Sequence, residues 1–379
     1  MPYWRLSSFY FFYFAALGAL IPFWGLYLRE LGFTPLVIGE LIAILMATKI
    51  IAPNLWGWLA DYTGARLPLV RSGSLLSLLA FSGLFTVQGF WGIALVMTLF
   101  SFFWHASLPQ IEAVTFDHLG PRIHRYATIR LWGSIGFILA VLALGIAVER
   151  IGTGIIPGAV LLCYAGIWLS SLVIPDPRQS PPEQPFDPLS GQLKKPEIIA
   201  FLAACFLMQA SHGAFYAFYS IYLTEAGYTS TLVGTLLAWG VVMEVLVFWH
   251  MPRLLERFGA RQVLLASLGL AGLRWLLTGG FVESPALQLL AQTLHAATFG
   301  AFHAAAIYLV HRYFDGRTQG RGQALYNSLS FGAGIAIGSL VSGMLWSGVG
   351  GAFAFLLSAL VAGLGWLVVW GWVGKKRQF

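Results

Sequence analysis

Twelve apolar segments, each about twenty residues or longer, follow one another along this chain, and this pattern restricts the fold more than any other feature. They fall near residues 7–28, 36–59, 68–88, 90–116, 127–148, 152–174, 198–223, 230–251, 262–282, 285–310, 322–347 and 350–373. About 20 apolar residues in a helix cross the hydrocarbon core of a bilayer, whereas a barrel strand needs only about 9–11. Lipid offers no partner to an unpaired backbone group, so segments of this length can cross only as helices. The expected fold is all-α and integral to the membrane: twelve transmembrane helices in two six-helix halves. Only 10% of the 379 residues are charged, against roughly 25% in soluble domains. The spans use up almost the whole length, which excludes a separate soluble catalytic domain.

The formal charge of +7 is explained by where the basic residues stand. The N-terminal tail holds Arg5. Alternate loops hold Arg66 and Arg71, Arg122 and Arg125, Arg178 with Lys194 and Lys195, Arg253 with Arg257 and Arg261, and Arg312 with Arg317 and Arg321; the C-terminal tail holds Lys375, Lys376 and Arg377. The opposite loops hold only Arg29 and Arg150. Basic residues near span ends stay on the cytoplasmic side, so both termini are expected in the cytoplasm, with the chain in the cytoplasmic (inner) membrane. The basic balance then reflects topology and contact with membrane lipid, and no nucleic-acid partner is expected. The first apolar run is long, rich in aromatic residues and without a small-residue cleavage site, so it reads as a retained span. Cys163 and Cys205 fall inside apolar runs with no partner spacing, which gives neither a disulfide framework nor a metal site. With no phosphate-cradling Gly-rich loop in the sequence, the chain is expected to hydrolyse no ATP and to need no cofactor.

Residues 175–196 hold Pro175, Pro177, Pro181, Pro182, Pro185, Pro188 and Pro196 and form the long polar stretch of the chain. They read as a cytoplasmic linker between an N-terminal six-helix bundle, 1–174, and a C-terminal one, 197–379. Sliding the sequence by 195 positions pairs Phe23 with Phe218, Tyr27 with Tyr222, Leu28 with Leu223, Glu30 with Glu225, Gly32 with Gly227, Thr34 with Thr229, Gly39 with Gly234 and Leu41 with Leu236. The same shift lays the loop Gly57 to Arg66 on Pro252 to Arg261. Two halves related by a parallel repeat, with a site near the bilayer midplane, are the architecture of an alternating-access transporter.

The run from Gly57 to Arg66, with Leu59, Asp61, Gly64 and Arg66 in place, resembles the cytoplasmic loop motif of the major facilitator superfamily, and Glu256, Gly259 and Arg261 echo it. Tyr62 stands where that motif usually has a basic residue. These residues either latch one conformation or are solvated loop charges. Within the superfamily the chain resembles the phenylpropionate permease family, and lactose permease more distantly. The likeness spans nearly the whole chain. It rests on Glu112 followed eighteen positions later by Arg130 in Arg130-Leu131-Trp132-Gly133-Ser134, on Gln209 and His212 ahead of Tyr216, on Glu244, on Arg274-Trp275, and on His295 through Phe299 to His303. The spacing from Glu112 to Arg130, the arginine in span nine and Thr293-Leu294-His295 match lactose permease, where such positions bind sugar and couple it to protons. Thr298 departs from that pattern: lactose permease has its proton-carrying carboxylate at this place, so its coupling mechanism does not carry over intact.

A charge at the bilayer centre is costly and implies a function with a partner. Lys49 in span two and Glu244 in span eight lie 195 residues apart, so they are symmetry mates that either face a central cavity or hold helices in register as an ion pair. Arg274, mid-span in helix nine, cannot lose its proton and is expected to line the cavity or pair with a carboxylate. His295, Phe299 and His303 recur every four residues and share one helical stripe; the histidines are suited to orienting a substrate carboxylate or carrying protons, and are about 12 Å apart along the axis, too far for one metal. His105 and Glu112 lie near one face of span four with Pro109 between them, and Glu112 is expected to pair with Arg130 unless both snorkel to the membrane surface. Gln209, His212 and Asn327 are candidates for hydrogen bonds, to substrate or between helices, and Gly334, Gly338 and Ser342 have the spacing of close helix packing.

The reading these residues support is a proton-coupled symporter, a monomer, that takes up a small organic anion such as an aromatic carboxylate by alternating access. Lys49, Arg130 and Arg274 would attract the carboxylate, Gln209, His212, His295, His303 and Asn327 would orient it, and Glu112 or Glu244 would take the proton. A carboxylate that cedes its cationic partner to the substrate gains proton affinity, which links the two fluxes. A sugar or nucleoside symporter is the alternative within transport. A membrane-embedded receptor or enzyme on the same fold is the alternative of another class; it would want a signalling segment or a clustered nucleophile or metal set, and neither stands in the sequence.

Overall fold

The computed structural model describes residues 1–176, 189 and 191–374. Those residues are helical almost throughout, with no strand among them. Helices α1 to α6 are Tyr3–Glu30, Pro35–Thr63, Arg66–Ser82, Gly89–Leu119, Tyr126–Ile151 and Ile155–Val173. Helices α7 to α14 are Pro196–Ser211, Gly213–Glu225, Ser230–Gly280, Pro285–His295, Phe302–Tyr313, Gln319–Asn327, Ile335–Val349 and Gly351–Trp372. Wider π-type turns at Ala296–Ala301 and Ser328–Gly334 join α10 to α11 and α12 to α13. Counted as continuous spans, eleven helices among the described residues are long and apolar enough to cross a membrane. The difference from twelve has a local cause: the separate segments expected at 230–251 and 262–282 run together as α9, which breaks at Gly259. That residue has φ 78° and ψ 155°, a conformation that glycine adopts without a Cβ penalty. The prolines at 177, 181, 182, 185 and 188, Arg178 and the tail from Lys375 to Arg377 lie outside the described residues.

The chain forms two compact units, the first Met1–Phe33, Ala47–Gln184 and Thr229–Ala238, the second Thr34–Met46, Pro185–Tyr228 and Trp239–Phe379. In the first, α1 packs on α5 and α6, and α3 on α4 and α6. The start of α9 closes this unit against α5: a Cβ at Gly234 would lie 2.6 Å from the Val141 carbonyl oxygen. The Glu149 carboxylate accepts the Thr231 backbone N–H at 3.0 Å, placing negative charge at a helix N-terminus, where the dipole favours it. In the second unit α7 packs on α14 and on 328–334, and α8 on α13. Here the start of α2 meets α13, and a Cβ at Gly39 would lie 2.8 Å from the Ser339 carbonyl oxygen. Gly39 and Gly234 are one of the glycine pairs of the 195-residue repeat, so at these positions the repeat seen in sequence performs one packing task twice.

Gly334 and Gly338 pack closely, as their spacing predicts, while Ser342 is buried and donates to the Gly338 carbonyl of its own helix. A Cβ at Gly338 would sit 2.1 Å from the Ala210 carbonyl oxygen, and one at Gly213 2.1 Å from the Gly338 carbonyl carbon, so α13 runs in backbone contact with the break between α7 and α8.

One arginine in each unit ties down a helix end, that of α6 in the first and that of α14 in the second. Arg71 donates through Nε to the Ser171 carbonyl at 3.2 Å and through Nη2 to Ile174 at 2.8 Å. Arg261 does the same at the end of α14, to Val373 at 2.7 Å and Trp370 at 3.0 Å. Terminal carbonyls lack helical partners and carry the negative end of the dipole, so a guanidinium satisfies both needs. Hydrogen bonds to charged groups contribute about 1.5–3 kcal/mol. Arg261→Ala is accordingly expected to lower the thermal midpoint of the purified protein in detergent by several degrees; an unchanged midpoint would refute the clamp.

Candidate functional site

The second unit buries its arginine completely. Arg274 has no solvent exposure, and its guanidinium lies 4.4 Å from the ring centres of both Phe215 and Trp275. Arg274 Nη1 donates to Thr298 Oγ1 at 3.0 Å and stands 3.5 Å from His212 Nε2, while Nη2 donates to Gln292 Oε1 at 3.5 Å. Its Nε has no hydrogen-bond partner. Arg274 is thus enclosed, and its polar contacts are a hydroxyl, an imidazole and an amide rather than a carboxylate. The reason is at residue 298, where a threonine fills the position next to the guanidinium and supplies no charge.

Close by, His295 Nε2 is 3.4 Å from a Glu244 carboxylate oxygen. Glu244 therefore has its imidazole partner within its own unit. His295, Phe299 and His303 form a column of near-parallel rings, with centres 5.3 Å and 6.4 Å apart and planes within 10° and 13°. Four residues of α-helix overshoot a full turn by about 40°, and the wider π-type turn over Ala296–Ala301 removes part of that excess. His303 Nδ1 is 3.0 Å from the Tyr326 hydroxyl. His212 lies at the break between α7 and α8, fully buried, with Nδ1 on the Met208 carbonyl at 2.8 Å. Gln209 is buried one turn earlier with its Oε1 unpartnered. Asn327 is half-buried at the end of α12, outside this network.

The first unit holds Glu112 and Arg130, but not as the direct ion pair expected. Glu112 accepts the Tyr126 hydroxyl at 2.9 Å, and the Arg130 guanidinium lies 3.7 Å over the Phe14 ring. The absence of a side chain at Gly133 makes this fold-back possible, since a Cβ there would stand 2.7 Å from Arg130 Nη1. Lys49 is half-buried on α2. Pro109 lies inside α4 without ending it.

Of the loop residues, Asp61 and Arg66 form an ion pair at 3.2 Å. Gly57 and Arg66 are half-buried, and Gly64, with φ 66°, and Glu256 are exposed. The repeat aligns Arg66 with Arg261, yet the two do different work: Arg261 clamps a helix end, and the residue doing so in the first unit is Arg71. Sequence reasoning uses Arg71 only for orientation and gives no part to Tyr126, Phe14 and Gln292. Two of these carried a signal, because Gln292 lies three residues before His295 and Tyr126 four before Arg130, each on a shared helical face.

The MFS_1 like family model matches residues 3–357. The chain belongs to this family. It is a multi-pass transporter of the major facilitator superfamily, and the resemblance read from the loop motif holds. The transporter is 32% identical over 368 residues to the probable 3-phenylpropionic acid transporter of Escherichia coli (strain K12), covering 93% of each chain. It is 27% identical to the maltose permease of Geobacillus stearothermophilus, covering 94% of this chain and 91% of that one. The crystal structure of the nucleoside transporter NupG superposes with a TM-score of 0.85 at 18% identity, covering 99% of this chain and 100% of that one. That likeness is one of fold.

Proposed function

We propose that this transporter is a proton-coupled symporter that takes up a small organic anion, an aromatic carboxylate of the phenylpropionate kind, by alternating access. The observation that carries the reading is Arg274: a fully buried, permanently charged guanidinium whose contacts are neutral oxygens and an imidazole. Burying an unpaired charge is costly, and a substrate carboxylate is the group that would complete it, with the planar fork suited to bidentate binding. The 3-phenylpropionic acid transporter among its relatives supports the same class. In this reading Lys49 and Arg130 add positive potential, and His212, His295, His303, Gln209 and Asn327 orient the anion. Glu244, in contact with His295, takes the proton, with Glu112 as the second carboxylate able to do so. In the same reading Asp61 with Arg66, and Arg261, hold conformations at the loops, the protein is a monomer in the inner membrane, and both termini face the cytoplasm, an orientation that the basic loops support.

Uptake of labelled 3-phenylpropionate into proteoliposomes under an inward proton gradient tests this, with empty liposomes compared because the neutral acid crosses lipid unaided. Protein-dependent accumulation that a protonophore collapses is the expected result; no uptake above the empty liposomes by folded protein would overturn it. Glu244→Gln is expected to keep exchange of labelled for unlabelled acid while losing accumulation against a gradient. Full accumulation by that variant would remove Glu244 as the proton carrier.

The second reading, a sugar symporter, draws on Glu112. Its carboxylate is bonded to a phenol rather than locked to Arg130, which leaves it able to accept sugar hydroxyls, and a maltose permease stands among the relatives.

A further inference from the structure

Glu112, on α4 of the first unit, ends a line of hydroxyls that the roles proposed above do not use. At the far end of the line Thr115 donates to the Ile111 carbonyl, one turn back, at 2.7 Å, the usual bond of a threonine inside a helix. That bond takes its one proton. Its oxygen has one other partner among the described residues, the Tyr10 phenol at 3.1 Å. Thr115 can here only accept, so Tyr10 must point its own proton at Thr115. The other side of the Tyr10 oxygen keeps a lone pair, and both residues are fully buried. Tyr126 is within hydrogen-bonding reach of that lone pair, and it also donates to the Glu112 carboxylate at 2.9 Å. The Tyr126 ring lies between Phe116, centres 4.7 Å apart, and Tyr10, centres 6.4 Å apart, so its hydroxyl can change partner by turning about the C–O bond alone.

A single Tyr126 proton thus stands between two acceptors, the Glu112 carboxylate and the Tyr10 oxygen. While Glu112 is ionised the carboxylate holds it, because a bond to a charged acceptor is the stronger one, and the Tyr10 lone pair has no donor. Once Glu112 is protonated, its O–H donates to Tyr126 and the Tyr126 proton turns to Tyr10. The line of donors then runs unbroken from Glu112 to the Ile111 carbonyl, and neither phenol gives up a proton. The other groups whose charge acts on Glu112 are Arg130 on α5 and Tyr13 on α1, and Arg130 lies over Phe14. On α3, which also packs on α4, Arg66 is held by Asp61 and Arg71 by the end of α6. Lys49 on α2 acts on His105, two turns earlier on α4.

We infer that Thr115 and Tyr10 are positioning residues for the proton of Glu112: they order the hydroxyls so that the protonated carboxyl, and not the ionised one, completes the line. This rests on the proton-coupled reading, in which Glu112 is a carboxylate able to take the proton. Without the Thr115 hydroxyl, Tyr10 is free to turn its proton to Tyr126, and the line then runs the other way, toward the ionised carboxylate. Proton affinity follows whichever form is the better bonded.

The test is infrared spectroscopy of the purified protein in detergent, following the carboxylic-acid carbonyl band that Glu112→Gln removes, as the pH is lowered from about 9 to about 4. Thr115→Val, close to threonine in size, is expected to move the midpoint of that band to lower pH by about half a unit to one unit, the size of one ordinary hydrogen bond. Tyr10→Phe should move it the same way, because it removes the acceptor that the protonated form alone uses. Thr115→Ser keeps the hydroxyl and should leave the midpoint in place. A midpoint that stays or rises in either of the first two variants overturns the inference alone, and so does one that falls as far in Thr115→Ser. Wild-type protein with no band sensitive to Glu112→Gln at any pH shows that Glu112 takes no proton, which overturns that reading of Glu112 and this inference with it.

Discussion

Thr298→Asp is expected to abolish anion exchange while the protein still folds. Thr298 Oγ1 accepts from Arg274 Nη1 at 3.0 Å, so a carboxylate on residue 298 would meet the guanidinium at once and supply the charge that the substrate is proposed to supply. Losing one partner of a buried, hydrogen-bonded charge pair costs about 2–5 kcal/mol, and each 1.4 kcal/mol is tenfold in affinity. Exchange of 3-phenylpropionate should therefore weaken by roughly 30-fold to over a thousandfold. The internal pair formed in exchange should hold the thermal midpoint near or above that of the parent. Thr298→Ser keeps the hydroxyl and should transport nearly normally. Arg274→Ala should lose exchange as well, but by removing the cation, so the two failures differ: adding a carboxylate has no reason to harm a substrate that carries no charge. Undiminished exchange by Thr298→Asp would show that Arg274 does not bind the anion.

Gly338→Val is expected to prevent the second unit from forming. A Cβ at this position would lie 2.1 Å from the Ala210 carbonyl oxygen, with the Ala210 carbonyl carbon and Cα at 2.9 Å and 3.1 Å. No rotamer relieves a clash between a Cβ and backbone, so α13 would have to move away from α7 and α8. Overpacking usually costs about 1–3 kcal/mol, and backbone displacement at a contact this close should exceed that. Size-exclusion chromatography in detergent is the measurement, with an aggregated or missing peak expected. Gly348→Ala is the control, because nothing stands within 4 Å of a Cβ there and alanine is the better helix former. A normal peak for Gly338→Val would mean that the helices part far more easily than their contact implies.

Much of the fold is legible in the chain because lipid leaves so few options. Span lengths of about 20 apolar residues admit helices alone, and the 195-residue repeat marks Gly39 and Gly234 as a pair with no knowledge of their shared packing role. The break in α9 is less legible: Gly259 reads as a loop glycine, but its φ of 78° within an otherwise continuous helix depends on what the flanking turns pack against. The candidate site divides in the same way. Arg274, His212 and His295 stand out because ionisable groups in apolar runs are rare, and the structure gathers them with Gln292 and Thr298. Arg130 misleads, since charge and spacing suggest Glu112 as its partner, whereas the aromatic face of Phe14, from a helix over a hundred residues earlier, takes the guanidinium. Contacts across that separation leave no periodic trace. The carbonyls held by Arg71 and Arg261 are invisible in sequence for another reason: every residue has a carbonyl, and only the fold decides which are left unpaired.

The short segments at Thr34–Met46 and Thr229–Ala238 bear on how the chain could be divided. Each compact unit is completed by residues encoded within the opposite half of the sequence. A polypeptide ending at Asp176 would lack the ten residues that close its own unit on Val141 and would carry thirteen that belong elsewhere. The two halves made as separate polypeptides should therefore be unstable apart and recover when synthesised together in one membrane, so that the protein behaves as a heterodimer whose subunits happen to share a peptide bond.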